Sequence, residues 1–382
     1  VLALALAAGL VIAAFALQNT PGRGSTAAFS LLIGAALGIV FERGRFCFFC
    51  ILRDFIEHKN STGLYAILVA LAAGGLGYAL LFSVFLPNPA AGRLPPQAHI
   101  GPVSWVLLAA GVAFGVGMAL SGACISGHLY RLGQGYLRAP IALAGALAGF
   151  GAGFLTWNTL YLDTLSTAPV AWLPASLGYG GALIVHLLVL AGLALLLLRF
   201  LPPLADTSGG PVTLARIRHT LLGRRWNPLV TGALVGVIGV LAYFRVEPLG
   251  VTAQLGSVTR TVMHNAGWLP ERLNGLDGFA GCATVVAEFI SDNGLLIGGL
   301  VVGSLLIALL ANTFSLSRLT VRNSLTALLG GVLMGWGAMV ALGCTVGTLL
   351  SGISAFALSG WVFGAAVFAG VWLGIRLRLH QG

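Results

Sequence analysis

Five cysteines, Cys47, Cys50, Cys124, Cys282 and Cys344, are the side chains best suited to chemistry in a chain otherwise poor in reactive groups. All five lie at the edges of apolar runs or in glycine-rich stretches that interrupt them. A thiol is a weak hydrogen-bond donor and a soft, polarizable partner. A soft anion leaving water needs contacts that bind it without trapping it, and several weak thiol contacts in series meet both needs. Cys47 and Cys50 also form a Cys-x2-Cys, the spacing of a redox disulfide. No phosphate-cradling Walker loop is present, so ATP hydrolysis within this chain is not expected. No catalytic residue, metal site or cofactor is read from the sequence.

The elements that must hold these cysteines are set by composition. Only 8% of the 382 residues are charged, 58% are apolar, and mean hydropathy is +0.98, whereas a soluble domain carries about 25% charged residues. Such a chain belongs in a lipid bilayer. Glycine is the other excess, with 55 residues. In membrane helices small residues allow close backbone approach, and they also allow a helix to break over a cavity.

Apolar runs predict ten spans, near 1–17, 27–42, 63–86, 103–121, 139–157, 177–201, 227–243, 294–313, 324–342 and 358–378. The first run, with Ala14-Phe15-Ala16 as a cleavage-like site, could be the h-region of a signal peptide; a retained helix is the favoured reading. Fifteen of the twenty Lys and Arg residues fall in the gaps 43–62, 122–138, 199–226 and 314–323 and in the C-terminal tail. The other five, Arg23, Arg93, Arg245, Arg260 and Arg272, fall on the opposite side. The positive-inside rule then places both termini and the 199–226 linker in the cytoplasm. The net charge of +10 reads as a topology signal, and no nucleic-acid partner is expected.

An internal repeat organises the chain. Gly111, Gly115, Gly117, Cys124 and Gly127 recur without gaps, 220 residues on, as Gly331, Gly335, Gly337, Cys344 and Gly347. A weaker match sets Gly34 and Gly38 on Gly232 and Gly236. Equivalent spans are five apart, an odd number, so the second copy is inverted, as in transporters that bind substrate near the bilayer midplane. The expected organisation is an N-terminal helix (1–26), a first repeat (27–176), a connecting helix and cytoplasmic linker (177–226), and a second repeat (227–382). Gaps 43–62, 122–135, 244–293 and 343–356 read as re-entrant elements, and all five cysteines lie in them. The fold class is an all-α polytopic membrane protein of about ten transmembrane helices in two inverted repeats, with short re-entrant helices meeting at the centre.

Three segments carry a family resemblance. They are Glu42-Arg43-Gly44-Arg45-Phe46-Cys47-Phe48 followed by Arg53-Asp54, Gly122-Ala123-Cys124-Ile125-Ser126-Gly127-His128-Leu129-Tyr130-Arg131-Leu132-Gly133-Gln134-Gly135, and Gly343-Cys344-Thr345-Val346-Gly347. Over most of residues 30–378 the chain resembles the YeeE/YedE family of membrane proteins, whose characterised members take up thiosulfate. The resemblance implies an inner-membrane transporter, not an enzyme, in which Cys47, Cys124 and Cys344 pass the substrate along by S–H···S hydrogen bonds. Gly122, Gly127, Gly343 and Gly347 join them as expected substrate-binding positions, where backbone N–H groups at broken helix ends face the anion. Cys282, Cys50, His128 and Arg53 are further candidates. Each has a plainer reading: small buried thiols for the cysteines, an interfacial polar residue for His128, a local ion pair with Asp54 for Arg53. The resemblance also implies a TusA-like sulfur-carrier partner docking in the cytoplasm near 43–62 and 199–226. Two alternatives stand beside this reading: a membrane thiol-disulfide oxidoreductase using Cys47 and Cys50, and transport of another sulfur or selenium species.

Overall fold

The computed structural model describes residues 2–202, 222–279, 285–286 and 290–381. The described chain is helical, with no sheet and two isolated bridges, Pro102 with Val170 and Trp172 with Ala357. Helix is the expected solution, because in an apolar medium each backbone N–H and C=O must be satisfied within its own segment. The order is α1 (Leu2–Gln18), α2 (Gly24–Gly44), α3 (Phe48–His58), α4 (Thr62–Phe85), α5 (Trp105–Ser121), α6 (Ile125–Gly133) and α7 (Arg138–Leu160). It continues with α8 (Leu173–Leu197), α9 (Pro228–Arg245), α10 (Ala253–Asn265), α11 (Asp292–Leu310), α12 (Val321–Val340), α13 (Thr345–Ser354) and α14 (Leu358–Arg376).

Among the described residues nine helical stretches are long and apolar enough to cross a membrane, one fewer than the ten spans expected. The difference is α1, an apolar helix with 17 described residues. Helix starts follow the usual chemistry. Thr320 and Ser291 accept hydrogen bonds from the backbone N–H groups of Asn323 and Gly294, and Asn227 caps α9 ahead of Pro228 at its first position.

The bundle is held by glycine-to-backbone contacts between neighbouring helices. Gly34 and Gly38 of α2 lie against the carbonyls of Leu296 and Leu300 on α11, while Gly299 and Gly303 of α11 lie against those of Leu31 and Ala35. Gly232 and Gly236 of α9 meet the carbonyls of Ala66 and Ala70 on α4. Gly111 and Gly115 of α5 press on α14, and Gly331 and Gly335 of α12 press on α7. At the centre Gly117 of α5 meets Gly330 of α12, and Gly337 of α12 meets Ala110 of α5. The pairings therefore come in matched sets: α2 with α11 and α9 with α4, α5 with α14 and α12 with α7, and α5 with α12.

Short helices interrupt this frame at three cysteines, each time in the same way. Arg45 ends α2 in left-handed backbone (φ 48), and Cys47 caps α3. Gly122 ends α5 at φ 82, and Cys124 caps α6. Leu342 (φ 56) and Gly343 (φ 155) follow α12, and Cys344 caps α13. The fourth short helix, α10, begins after Thr252 and carries no cysteine. Cys282 and linker residues 203–221, both named in the sequence reading, lie outside the described residues.

Two adjacent glycines of α11 test the packing. A Cβ at Gly299 would collide with the Leu31 carbonyl, whereas a Cβ at Gly298 meets nothing within 4 Å. Gly299→Ala is expected to destabilise the detergent-solubilised protein by about 1–3 kcal/mol through overpacking. Gly298→Ala is expected to be neutral or to stabilise by up to about 1 kcal/mol through the helix preference for alanine. Thermal unfolding followed by circular dichroism measures both.

Candidate functional site

Cys47 and Cys124 come together from segments 77 residues apart, with their sulfurs 4.0 Å from each other. Both are fully buried. Each occupies the cap of a short helix, so both sulfurs sit at the positive end of a helix dipole. The Cys124 sulfur accepts from the Gly127 N–H at 3.4 Å and lies 3.2 Å from the Ser126 hydroxyl. Gly127 makes room for the pair: a Cβ there would stand 2.8 Å from the Cys47 sulfur and 3.4 Å from that of Cys124. The need for glycine at this position is thus a clearance for two thiols.

Arg131 fixes the surroundings. Its Nη2 donates to the Cys50 sulfur at 2.9 Å and its Nη1 to the Gly122 carbonyl at 3.0 Å. The guanidinium also lies over the rings of Tyr130 and Tyr136. One cation therefore ties the end of α5, the first turn of α3 and α6 together, beside the two thiols. Glu42 closes the same end of the bundle, accepting from Gln134 at 3.1 Å and Thr313 at 2.9 Å, with Arg43 3.5 Å away. His128, one turn after Cys124 on α6, is buried with neither ring nitrogen hydrogen-bonded among the described residues. Arg53 lies apart, on the half-exposed side of α3, paired with Asp54 at 3.0 Å and with Glu57 at 3.8 Å.

Cys344, also buried, belongs to the same continuous apolar core as Cys47 and Cys124. Its own neighbours are Gly343, Gly347 and Thr348, whose hydroxyl donates to the Ala341 carbonyl at 3.4 Å. The structure thus brings Cys47, Cys124, Gly127 and Gly122 together, with Cys344, Gly343 and Gly347 forming a separate turn in the same core. Cys50 attaches to the first group through Arg131. No disulfide joins the described cysteines, and no cluster able to hold a metal occurs among the described residues.

Two residues around these groups escape the sequence reading. Arg131 stands there as a loop charge and as a position in the resemblance segment with no role assigned, although its place seven residues after Cys124 on the same short helix puts it beside the thiols. His99 packs against Gly343 and Gly347 from an irregular connection whose sequence gives no such sign.

Comparison with known proteins places the chain among membrane transporters. The family model described as sulphur transport matches residues 43–373. The thiosulfate transporter TsuA of Escherichia coli is 28% identical over 359 residues, covering 90% of this chain and 92% of the relative. The thiosulfate transporter TsuA of Spirochaeta thermophila is 28% identical over 373 residues, covering 90% and 96%. The probable transporter YedE of Escherichia coli is 27% identical over 172 residues, covering 43% and 41%.

The thiol geometry gives a direct test. Under a mild oxidant, Cys47 and Cys124 are expected to crosslink in the wild-type protein and in Cys50→Ser. In Gly127→Ala the new methyl group drives the sulfurs apart, and crosslinking is expected to slow by about tenfold or more, the effect of roughly 1.4 kcal/mol of displacement cost. Peptide mapping by mass spectrometry reads the crosslinked fraction.

Proposed function

The chain belongs to the sulphur-transport family, whose members are membrane transporters and not enzymes, and we propose that it carries thiosulfate or a closely related inorganic sulfur anion past Cys344, Cys124 and Cys47. The observation that carries this reading is the buried pair of thiols 4.0 Å apart, each at the start of a short helix. A soft terminal sulfur finds thiol partners there, and the two helix starts supply positive potential for the charge. The anion is held by weak, neutral groups, so it can leave as readily as it arrives. Relatives named thiosulfate transporters align with nine-tenths of the chain, which supports the cargo.

The two halves, 27–176 and 227–382, are read as inverted repeats. The matched packing supports this. Exchanging α2 with α9, α4 with α11, α5 with α12 and α7 with α14 turns each glycine-mediated pairing into another observed one. Under the 220-residue offset the contact of Gly117 with Gly330 becomes the contact of Gly337 with Ala110. In this reading α3, α6, α10 and α13 are re-entrant, two from each side, and the Cys47–Cys124 pair faces the cytoplasm. Both termini then lie in the cytoplasm of a cell with this protein in its inner membrane. A TusA-like sulfur carrier receiving the anion would dock near 43–62 and the 199–226 linker.

Uptake of labelled thiosulfate into cells lacking other sulfur importers tests the proposal. Wild type is expected to import, and Cys124→Ala and Cys344→Ala each to lose at least about tenfold in rate, as the loss of roughly 1.4 kcal/mol of contact implies. Normal uptake by both variants would contradict the cysteine pathway, and no uptake by wild type would contradict the cargo.

A further inference from the structure

Two polar atoms beside Cys344 have no partner within the fold. His99 is 5% exposed and its Nδ1 makes no hydrogen bond among the described residues. Thr345 is 1% exposed, and its hydroxyl is likewise unpartnered. Leaving a buried donor or acceptor unsatisfied costs roughly 1–3 kcal/mol. Two such atoms around one thiol mark a place built for something else to bond there.

The way His99 arrives supports the same conclusion. It sits in the irregular 86–104 connection in left-handed backbone (φ 54), its N–H bonded to the carbonyl of Gln97, which is itself left-handed (φ 53). Non-glycine residues in this region carry strain of about 1–3 kcal/mol each. The ring nevertheless lies close across the Cys344 turn: a Cβ at Gly347 would stand 2.7 Å from its Cε1, and one at Gly343 3.2 Å from its Nδ1. Glycine on both sides of Cys344 is what lets the imidazole in. The stretch just before His99, from Arg93 to Gln97, lines an open cavity of about 520 Å3. The segment therefore runs from a cavity wall to the turn that carries Cys344.

Cys344 also differs from Cys124. The Cys124 sulfur caps its own helix by accepting from Gly127, whereas Cys344 makes no such bond. Hydrogen bonding into α13 starts with the N–H groups of Thr348 and Leu349 on the Cys344 carbonyl. The N–H groups that precede them face the same turn as His99 and Thr345, at the positive end of the helix.

We propose that His99 and Thr345 are the ligands for the oxygen end of the anion at Cys344, donating to sulfonate oxygens while the terminal sulfur rests on the thiol. This rests on the reading of the cargo as a thiosulfate-like anion, and it extends that reading from the soft end of the substrate to the hard end. Burial lowers the His99 imidazole to about 4, so the ring is neutral near pH 7 and offers one N–H. A backbone hydrogen bond with Leu342 competes for that proton; with the proton on Nδ1 when the anion is bound, the ring is a donor without a fixed charge. Such a group orients a dianion without holding it as an ion pair would.

Calorimetric titration of thiosulfate into the purified full-length protein tests the assignment in wild type, His99→Asn, His99→Leu and Thr345→Val. Asparagine tolerates left-handed backbone and sets an amide N–H near the place of Nδ1, so its affinity is expected to stay within about threefold of wild type. His99→Leu and Thr345→Val are each expected to weaken binding by about tenfold or more, the loss of one hydrogen bond to a charged group. A thermal melt on the same samples separates packing from binding, because a merely structural histidine would lower the melting temperature and leave the affinity of the folded protein unchanged. Wild-type affinity in His99→Leu and Thr345→Val would overturn the assignment, as would a His99→Asn affinity as weak as that of leucine with its stability intact. If His99→Leu fails to fold, His99→Asn and Thr345→Val decide. Absence of thiosulfate binding by wild type would overturn the cargo itself, a result distinct from tight binding that ignores both side chains.

Discussion

Backbone that leaves the helix inside an apolar bundle must be covered by protein, because no solvent is there to satisfy it. The breaks at Gly122–Cys124 and Leu342–Cys344 face this constraint most fully, while that at Arg45–Cys47 starts from an exposed Arg45, and the rest of the fold answers it. Glycine-to-carbonyl contacts draw α2, α4, α5, α7, α9, α11, α12 and α14 close together around the breaks. Arg131 satisfies the Gly122 carbonyl, and Glu42 joins Gln134 to Thr313. With the breaks covered, each of the three short helices that follow carries a cysteine at its cap.

The two groups of cysteines are chemically different. Cys47 and Cys124 face one another with their helix starts partly satisfied by the Cys124 sulfur and with a guanidinium nearby. Cys344 stands alone, on an uncapped helix start, among polar atoms without partners. Unpartnered buried polar atoms occur near both groups, on His128 after Cys124 and on His99 and Thr345 around the Cys344 turn.

Much of this was legible in residue spacing. A left-handed break needs glycine or tolerates strain, and a cysteine two residues after such a break falls at a helix cap, so Gly122-x-Cys124 and Gly343-Cys344 mark their helix starts directly. The glycine pattern at Gly111, Gly115 and Gly117 and its copy at Gly331, Gly335 and Gly337 foretells the packing faces, because only glycine allows helix axes to come so close. Other features arise only in three dimensions. The meeting of Cys47 with Cys124 depends on how two breaks dock. Arg131 reads as a topology charge until α6 folds beside α3. His99 comes from a proline-rich connection without periodicity, so nothing in the sequence aims it at Cys344.

The central claim is that one pathway for a sulfur anion touches all three cysteines. It is tested most directly by the rate at which a small thiol-alkylating reagent modifies Cys47, Cys124 and Cys344 in membranes, with thiosulfate and with sulfate at equal concentration. Thiosulfate is predicted to slow modification at all three positions together while sulfate does not; protection that is absent, or that is equal for both anions, would contradict it.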